Sequence, residues 1–471
     1  MPRCATILLV LMLLGPNAAV FGQQAEAERL IRQHRYSAAI HTLMGARSDL
    51  DGHPDGVLTT LGVAHLQRGY LLRDLATLQA AIGAEYYALR QDSQRATPSP
   101  WTAFFVGRHR FALRQTQQAL QAFQAAADNA RLPTLYRNRA RLWLAASHQR
   151  AGHTREATAA WAAVDADGQA VLVADRAYAR WQLGQTEIPD CGPGRDVSLA
   201  ALRCTLWAAI RKKEVTALQR LQNSLLEDDT PDQEVIVGGD YVLRFYDPAT
   251  LDMLAAADFV MAMEAFRRVQ GRTAHQDALL YAGISAYESG HYDTARSLLN
   301  ETNHPLAVVY LGALDYVAGN REAAQQQWAR AQAGPSEIVI AWAEVASRFA
   351  SEHEAVRVTA RKHRHAAMQS QRAARMLGRA YLRIGRSRDA LRVLDAPYPS
   401  AYHNDLDRIE PGYLVTLAEA EFMAGRQYYP ALRSHLASLV DVYPITEGVL
   451  YLAQAFTLPE RQTSFNKRTG Q

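Results

Sequence analysis

One spacing recurs along this chain. A small residue is followed by glycine seven positions later, alanine five beyond that, and a large apolar residue four further on. It reads Gly283, Gly290, Ala295, Leu299; then Gly312, Gly319, Ala324, Trp328; then Gly378, Gly385, Ala390, Leu394. Self-similarity at such a period predicts a solenoid of stacked helix pairs. The spacing has a physical cause. The first helix of a pair needs a small residue where the second crosses it closely. The tight turn between them needs a residue that tolerates positive φ, the role of glycine. The second helix needs alanine at the crossing and a bulky residue one turn later.

Weaker copies extend the pattern. Gly107, Ala119, Phe123 and Ala126 keep it without the turn glycine, and Ala145, Gly152, Ala157 and Trp161 keep it with alanine first. Tyr36, Ala39, Leu43 and Ala46 read as the second half of an N-terminal unit. Gly62 and Gly69 begin another, with Asp74 where alanine is expected. Gly425 is followed by Pro430 in place of that alanine, which reads as a degenerate capping unit. Pro133, Pro305 and Pro335 stand where successive units join, as chain breaks between helices.

The segments Ile284 to Ala295, Val309 to Ala324 and Leu377 to Ala390 resemble the tetratricopeptide repeat family. The resemblance implies an all-α, right-handed superhelical solenoid. Its first helices would turn toward a concave groove, and its role would be to bind other molecules. Composition agrees with an all-α chain, being rich in Ala, Leu and Arg with few strand signals.

Along the 471 residues, the N-terminal segment 1–22 reads as a secretory signal peptide. It has a basic start at Arg3, an apolar run Ile7 to Leu14, and small residues before Gln23. Residues 23–187 read as N-terminal helix pairs and 188–247 as an irregular insert. Residues 248–395 read as C-terminal repeats, 396–411 as a proline-bearing linker and 412–471 as capping helices and a polar tail. Within the insert, Leu199 to Ile210 and Val215 to Leu226 keep helical spacing, and Val235 to Leu243 is β-like with Gly238-Gly239 as a turn. Asp247-Pro248 restarts helix, with Asp as cap and Pro in the first turn. The mature chain is expected to be exported, periplasmic or secreted, and no later segment is apolar enough to span a membrane. Two cysteines remain, Cys191 and Cys204, and an exported context favours a disulfide between them.

The chain carries no phosphate-cradling, hydrolase or zinc-protease motif. His353-Glu354 opens like a zinc motif, but Arg357 occupies the second histidine position. Glu288-Ser289-Gly290 is similar to the catalytic start of lytic transglycosylases, yet the repeat already accounts for it. No enzyme activity, cofactor or metal site is therefore expected. Net charge is +4, too mild to announce a nucleic-acid protein. The charge is concentrated, however. Arg372, Arg375, Arg379 and Arg383 recur at three- or four-residue steps and share one helix face, in the register that turns toward the groove. Arg357, Arg361 and Arg364 form a second stripe on the preceding helix, and Arg139 and Arg150 hold similar positions earlier. Such guanidinium groups would repel one another and welcome an anion. Tyr287 and Tyr316, with Trp101, Phe104 and Phe111, are aromatic candidates for the same groove. The expectation is a binding scaffold of the cell envelope that docks protein partners through an acidic segment. An acidic polysaccharide held directly in the groove is the alternative. A glycan-active enzyme with its site in 188–247, around Asp228, Asp229 and Asp240, is a further one.

Overall fold

The turn between two helices decides the architecture. In a computed structural model the described residues are 22–44, 50–85, 102–112, 114–165, 170–183, 199–227, 236–238, 241–243, 248–269, 275–394 and 410–424. Among them, seven helix pairs close through one and the same turn. Its third-from-last helical carbonyl accepts from the residue after a positive-φ position, as in Gly290 (φ 77), where His291 N donates to Ala286 O. Gly152, Gly319 and Gly385 repeat that geometry. So do three residues that are not glycine: His34, Arg114 and Lys213, with φ of 58, 58 and 59.

The pairs are α1 (22–32) with α2 (Tyr36–Met44), α4 (Thr102–Ala112) with α5 (Thr116–Asp128), and α6 (Thr134–Ala151) with α7 (Thr154–Asp165). After the single helix α8 (Ala170–Gln182) come α9 (Leu199–Lys212) with α10 (Val215–Glu227) and α12 (His275–Glu288) with α13 (Tyr292–Glu301). The last two are α14 (Ala307–Val317) with α15 (Arg321–Gln332), and α18 (Gln371–Arg383) with α19 (Ser387–Leu394). The crossing explains the small first residue. A Cβ on Gly283 would lie 2.7 Å from Leu299, on Gly107 2.7 Å from Phe123, and on Gly378 2.9 Å from Leu394. Each collision is with the bulky residue of the same repeat. α16 (Ser336–Ala346) and α17 (His353–Ala367) are joined instead through a 3-10 turn, Ala350–Glu352. Pro133 and Pro335 cap α6 and α16, as their place at unit joins predicts.

The segment 188–247 is more regular than an insert. α9 and α10 are a repeat whose turn position is Lys213, and Ile236–Gly238 pairs antiparallel with Tyr241–Leu243. The expected β-like segment thus pairs on itself, with Gly238 inside the ladder opposite Tyr241 rather than in the turn. The chain is an all-α solenoid of tetratricopeptide-like helix pairs with this small β-hairpin.

Two helices depart from the pattern. The unit expected to start at Gly62 and turn at Gly69 does not exist. Residues Asp55–Glu85 form one continuous helix, α3, that passes Gly69 without a turn. Gly69 serves a close approach instead: its Cβ would meet the Ala255 carbonyl at 3.2 Å. The partner there is α11 (Pro248–Arg267), antiparallel to α3 and buried along almost its whole circumference. A helix apolar on all sides belongs inside, and both helices are inside.

In the C-terminal array the first helices α12, α14, α16, α18 and α20 (Pro411–Met423) pack one on the next. α3 lies along them. Its Tyr70 feels the charges of Glu288, Glu344, Arg348 and Arg379, and packs edge-on against Phe259 of α11. The face expected to be an open groove is therefore covered by a helix of the same chain. The signal segment 1–22, but for its last residue, the capping unit at Gly425 and Pro430, and Trp101 lie outside the described residues.

Candidate functional site

Burying α3 against the array brings charges together that are far apart in sequence. Arg68 of α3 donates from Nε and Nη2 to both oxygens of Asp258, at 2.8 and 2.7 Å, while His65 and Gln222 share that carboxylate. Arg73 bonds Asp252 at 3.0 Å and Glu288 at 2.5 Å. Arg348 grips Glu288 with two bonds of 2.8 and 3.0 Å. Burial alone would raise the Glu288 carboxyl, but Arg348 and Arg73 more than reverse this and hold it at about 2. Glu288 is thus held as a structural anion, while Ser289 beside it donates to the carbonyl of Ser285 and lies 3.0 Å from His291 Nδ1.

The arginine stripe divides. Arg375 and Arg379, expected in an open groove, are each 7% exposed. Arg375 bonds Asp74 at 2.7 Å and also pairs with Glu410. Arg379 pairs with Asp74 at 3.1 Å and Glu344 at 3.2 Å. Arg383 is half-buried, donating to the Glu344 carbonyl at 3.1 Å. The expected mutual repulsion is answered from within the chain. A charge taken out of water is retained only where it is paired, and these pairs tie α18 to α3, α16 and the start of α20. Asp74, out of place in a repeat, is the acid that receives two of the arginines.

Arg372 remains exposed, as do Arg361 and, partly, Arg364 and Arg357. Arg357 pairs with Glu354 on its own helix. Arg361, Lys362, Arg364, Arg372 and Arg388 make no ion pair among the described residues. Arg361 and Arg364, with Arg386, act on the phenol of Tyr381, which places them on one side of α17–α19.

The aromatic candidates are packed. Tyr287 is buried against Tyr292 and Tyr310 with the Arg348 guanidinium 5.6 Å from its ring. Tyr316 stacks on Trp328 and Phe349 and bonds Ser351. Phe104 is core, and Phe111 carries Arg150 on its ring at 3.5 Å. Arg139 is buried in a pair with Asp175, 2.6 Å away. Cys204 is buried and disulfide-bonded, while Cys191 lies outside the described residues, as do Asp228, Asp229 and Asp240. No metal-binding cluster occurs among the described residues, and no helix there is long and apolar enough to cross a membrane.

No family model matches the chain. No curated protein matches it either. Among solved structures, the crystal structure of the APC/C hetero-tetramer Cut9-Hcn1 aligns over 94% of this chain and 91% of that one, at 13% identity and a TM-score of 0.28. The assignment to helix-pair solenoids rests on the chain's own turns and crossings.

Proposed function

We propose that this chain is a non-enzymatic docking scaffold of the cell envelope that receives an acidic segment of a protein partner on the exposed basic face of α17–α19. The observation that carries the reading is the set Arg361, Lys362, Arg364, Arg372 and Arg388, cations with no carboxylate partner among the described residues. The buried arginines of α3 and α18, by contrast, are paired with carboxylates. Guanidinium groups left open suit bidentate capture of carboxylates. The export reading is supported by the apolar run Ile7 to Leu14 and by the disulfide at Cys204, which persists in oxidising compartments.

The test uses a fluorescent peptide rich in Asp and Glu, with a polyuronate of similar charge as competitor. The peptide should bind, and binding should weaken as salt rises, because exposed charges are screened beyond about 8 Å at physiological ionic strength. Arg361→Glu with Arg364→Glu should remove binding, and Arg29→Glu with Arg32→Glu, on α1, should not. If the two double variants bind alike, the basic face is only solvated surface. If the polyuronate binds and the peptide does not, the scaffold reading yields to a glycan-binding one.

A further inference from the structure

Between α3, α4, α8, α12, α18 and α20 lies a cavity of about 190 Å³. Six guanidinium groups line it, from Arg73, Arg108, Arg114, Arg348, Arg379 and Arg383. Against them stand the carboxylates of Asp74, Asp252 and Glu288. Arg73, Arg348 and Arg379 use those acids and Glu344, as described above. Arg108 lies over the Trp143 ring, 4.5 Å from its centre, and two arginines remain. Arg383 stands 3.8 Å from a Glu344 carboxylate already shared by Arg379 and Arg348. Arg114 makes no ion pair among the described residues; its guanidinium lies 5.9 Å from the centre of the Phe349 ring. Burial lowers both, Arg383 to about 9 with help from Arg348 and Arg379. Glu419 adds no negative charge at neutral pH, since burial and then Asp74 hold its carboxyl up at about 8, and its Oε1 has no hydrogen-bond partner.

Arg114 holds, at φ 58, the turn position that glycine fills in four other pairs and His34 and Lys213 fill in two, at a cost of about 1 kcal/mol or more relative to glycine. Of the three side chains so placed, that of Arg114 lines the cavity. Aromatic rings, among them Tyr287, Tyr292, Trp181 and Phe111, form much of the remaining wall, with small residues such as Ala80 of α3 between them.

We propose that this cavity binds a small organic carboxylate, its anionic end on Arg114 and Arg383 and its flat apolar body against the aromatic wall. The size agrees: an apolar cavity of about 150 Å³ admits one benzene ring. The site is separate from the basic face of α17–α19, so either reading can fail without the other.

The test is calorimetry and thermal shift on the full chain with benzoate, against neutral benzamide at fixed ionic strength. Benzoate should bind one to one and raise the melting midpoint; benzamide should do neither. Arg114→Gly suits the backbone and should fold, yet bind benzoate at least tenfold more weakly. Ala80→Leu keeps every charge, fills the cavity from α3 and should also lose binding, so it decides the matter if Arg114→Gly does not fold. Arg361→Glu with Arg364→Glu should bind benzoate as the parent does. No benzoate binding, an equal response to benzamide, or undiminished binding by Ala80→Leu would overturn the proposal.

Discussion

At Glu419 a single carboxyl has been moved into an interior of arginines and aromatics, and its proton decides what it contributes. Its folded value, about 8, lies above the 4.5 of a free glutamate. A group raised in this way contributes its full share below the unfolded value and loses it as pH rises through the folded one. Stability should therefore fall between about pH 4.5 and 8 on its account. Glu419→Gln keeps the shape and removes the titration. The variant should match the parent near pH 4 and exceed it near pH 8 by roughly 4 kcal/mol, because each tenfold gain in proton affinity on folding is worth about 1.4 kcal/mol. Urea unfolding at the two pH values checks this; a difference independent of pH would show that Glu419 does not titrate in that window. Glu288 is the opposite case. Its value near 2 means a contribution present above 4.5 and lost as acid protonates it.

The α3–α11 crossing is where an element acquires a job its repeat pattern did not assign. A Cβ on Gly62 would lie 2.7 Å from the ring of Phe266, and Phe266 is 2% exposed with little room to turn. Gly62→Val should destabilise by about 1–3 kcal/mol, the usual range for overpacking. Phe266→Leu in the same chain should recover part of that loss, and a double-mutant cycle measures the coupling. Additive losses would mean that the two residues do not meet.

An open solenoid of helix pairs touches only its neighbours and frays from its ends. This molecule has a different arrangement, because α3 reaches from the N-terminal pair to α20 and pairs with charges on α12 and α18. Hydrogen exchange should place the amides of α3 and α11 among the slowest, together with α12 and α18, since all open only in global unfolding. Exchange of α3 ahead of the C-terminal array would show that the central helix is an independent unit.

The local rules of this fold were legible in the residues. A glycine or alanine facing a bulky residue of the next helix, and a glycine in the turn, are consequences of contact distance and φ, and both act within a few dozen residues. They located the pairs at Gly283, Gly312 and Gly378 and the weaker ones at Tyr36, Gly107 and Ala145, but they also announced a turn at Gly69 that the continuous helix α3 does not make. They missed the pair at Lys213 because lysine holds the positive-φ place there, a choice no propensity announces. Likewise, helical spacing put Arg375 and Arg379 on one face but could not say what that face meets. The answer is Asp74, 301 residues away from Arg375. Sequence offered one clue: Asp74, Asp252 and Asp258 interrupt helices otherwise fit for burial, and buried acids need cationic partners. Which arginine answers which acid, and which cations are left over, follows from the distances that packing α3 into the array creates. Only the tertiary structure could decide that, because an ion pair depends on separation in space and not along the chain.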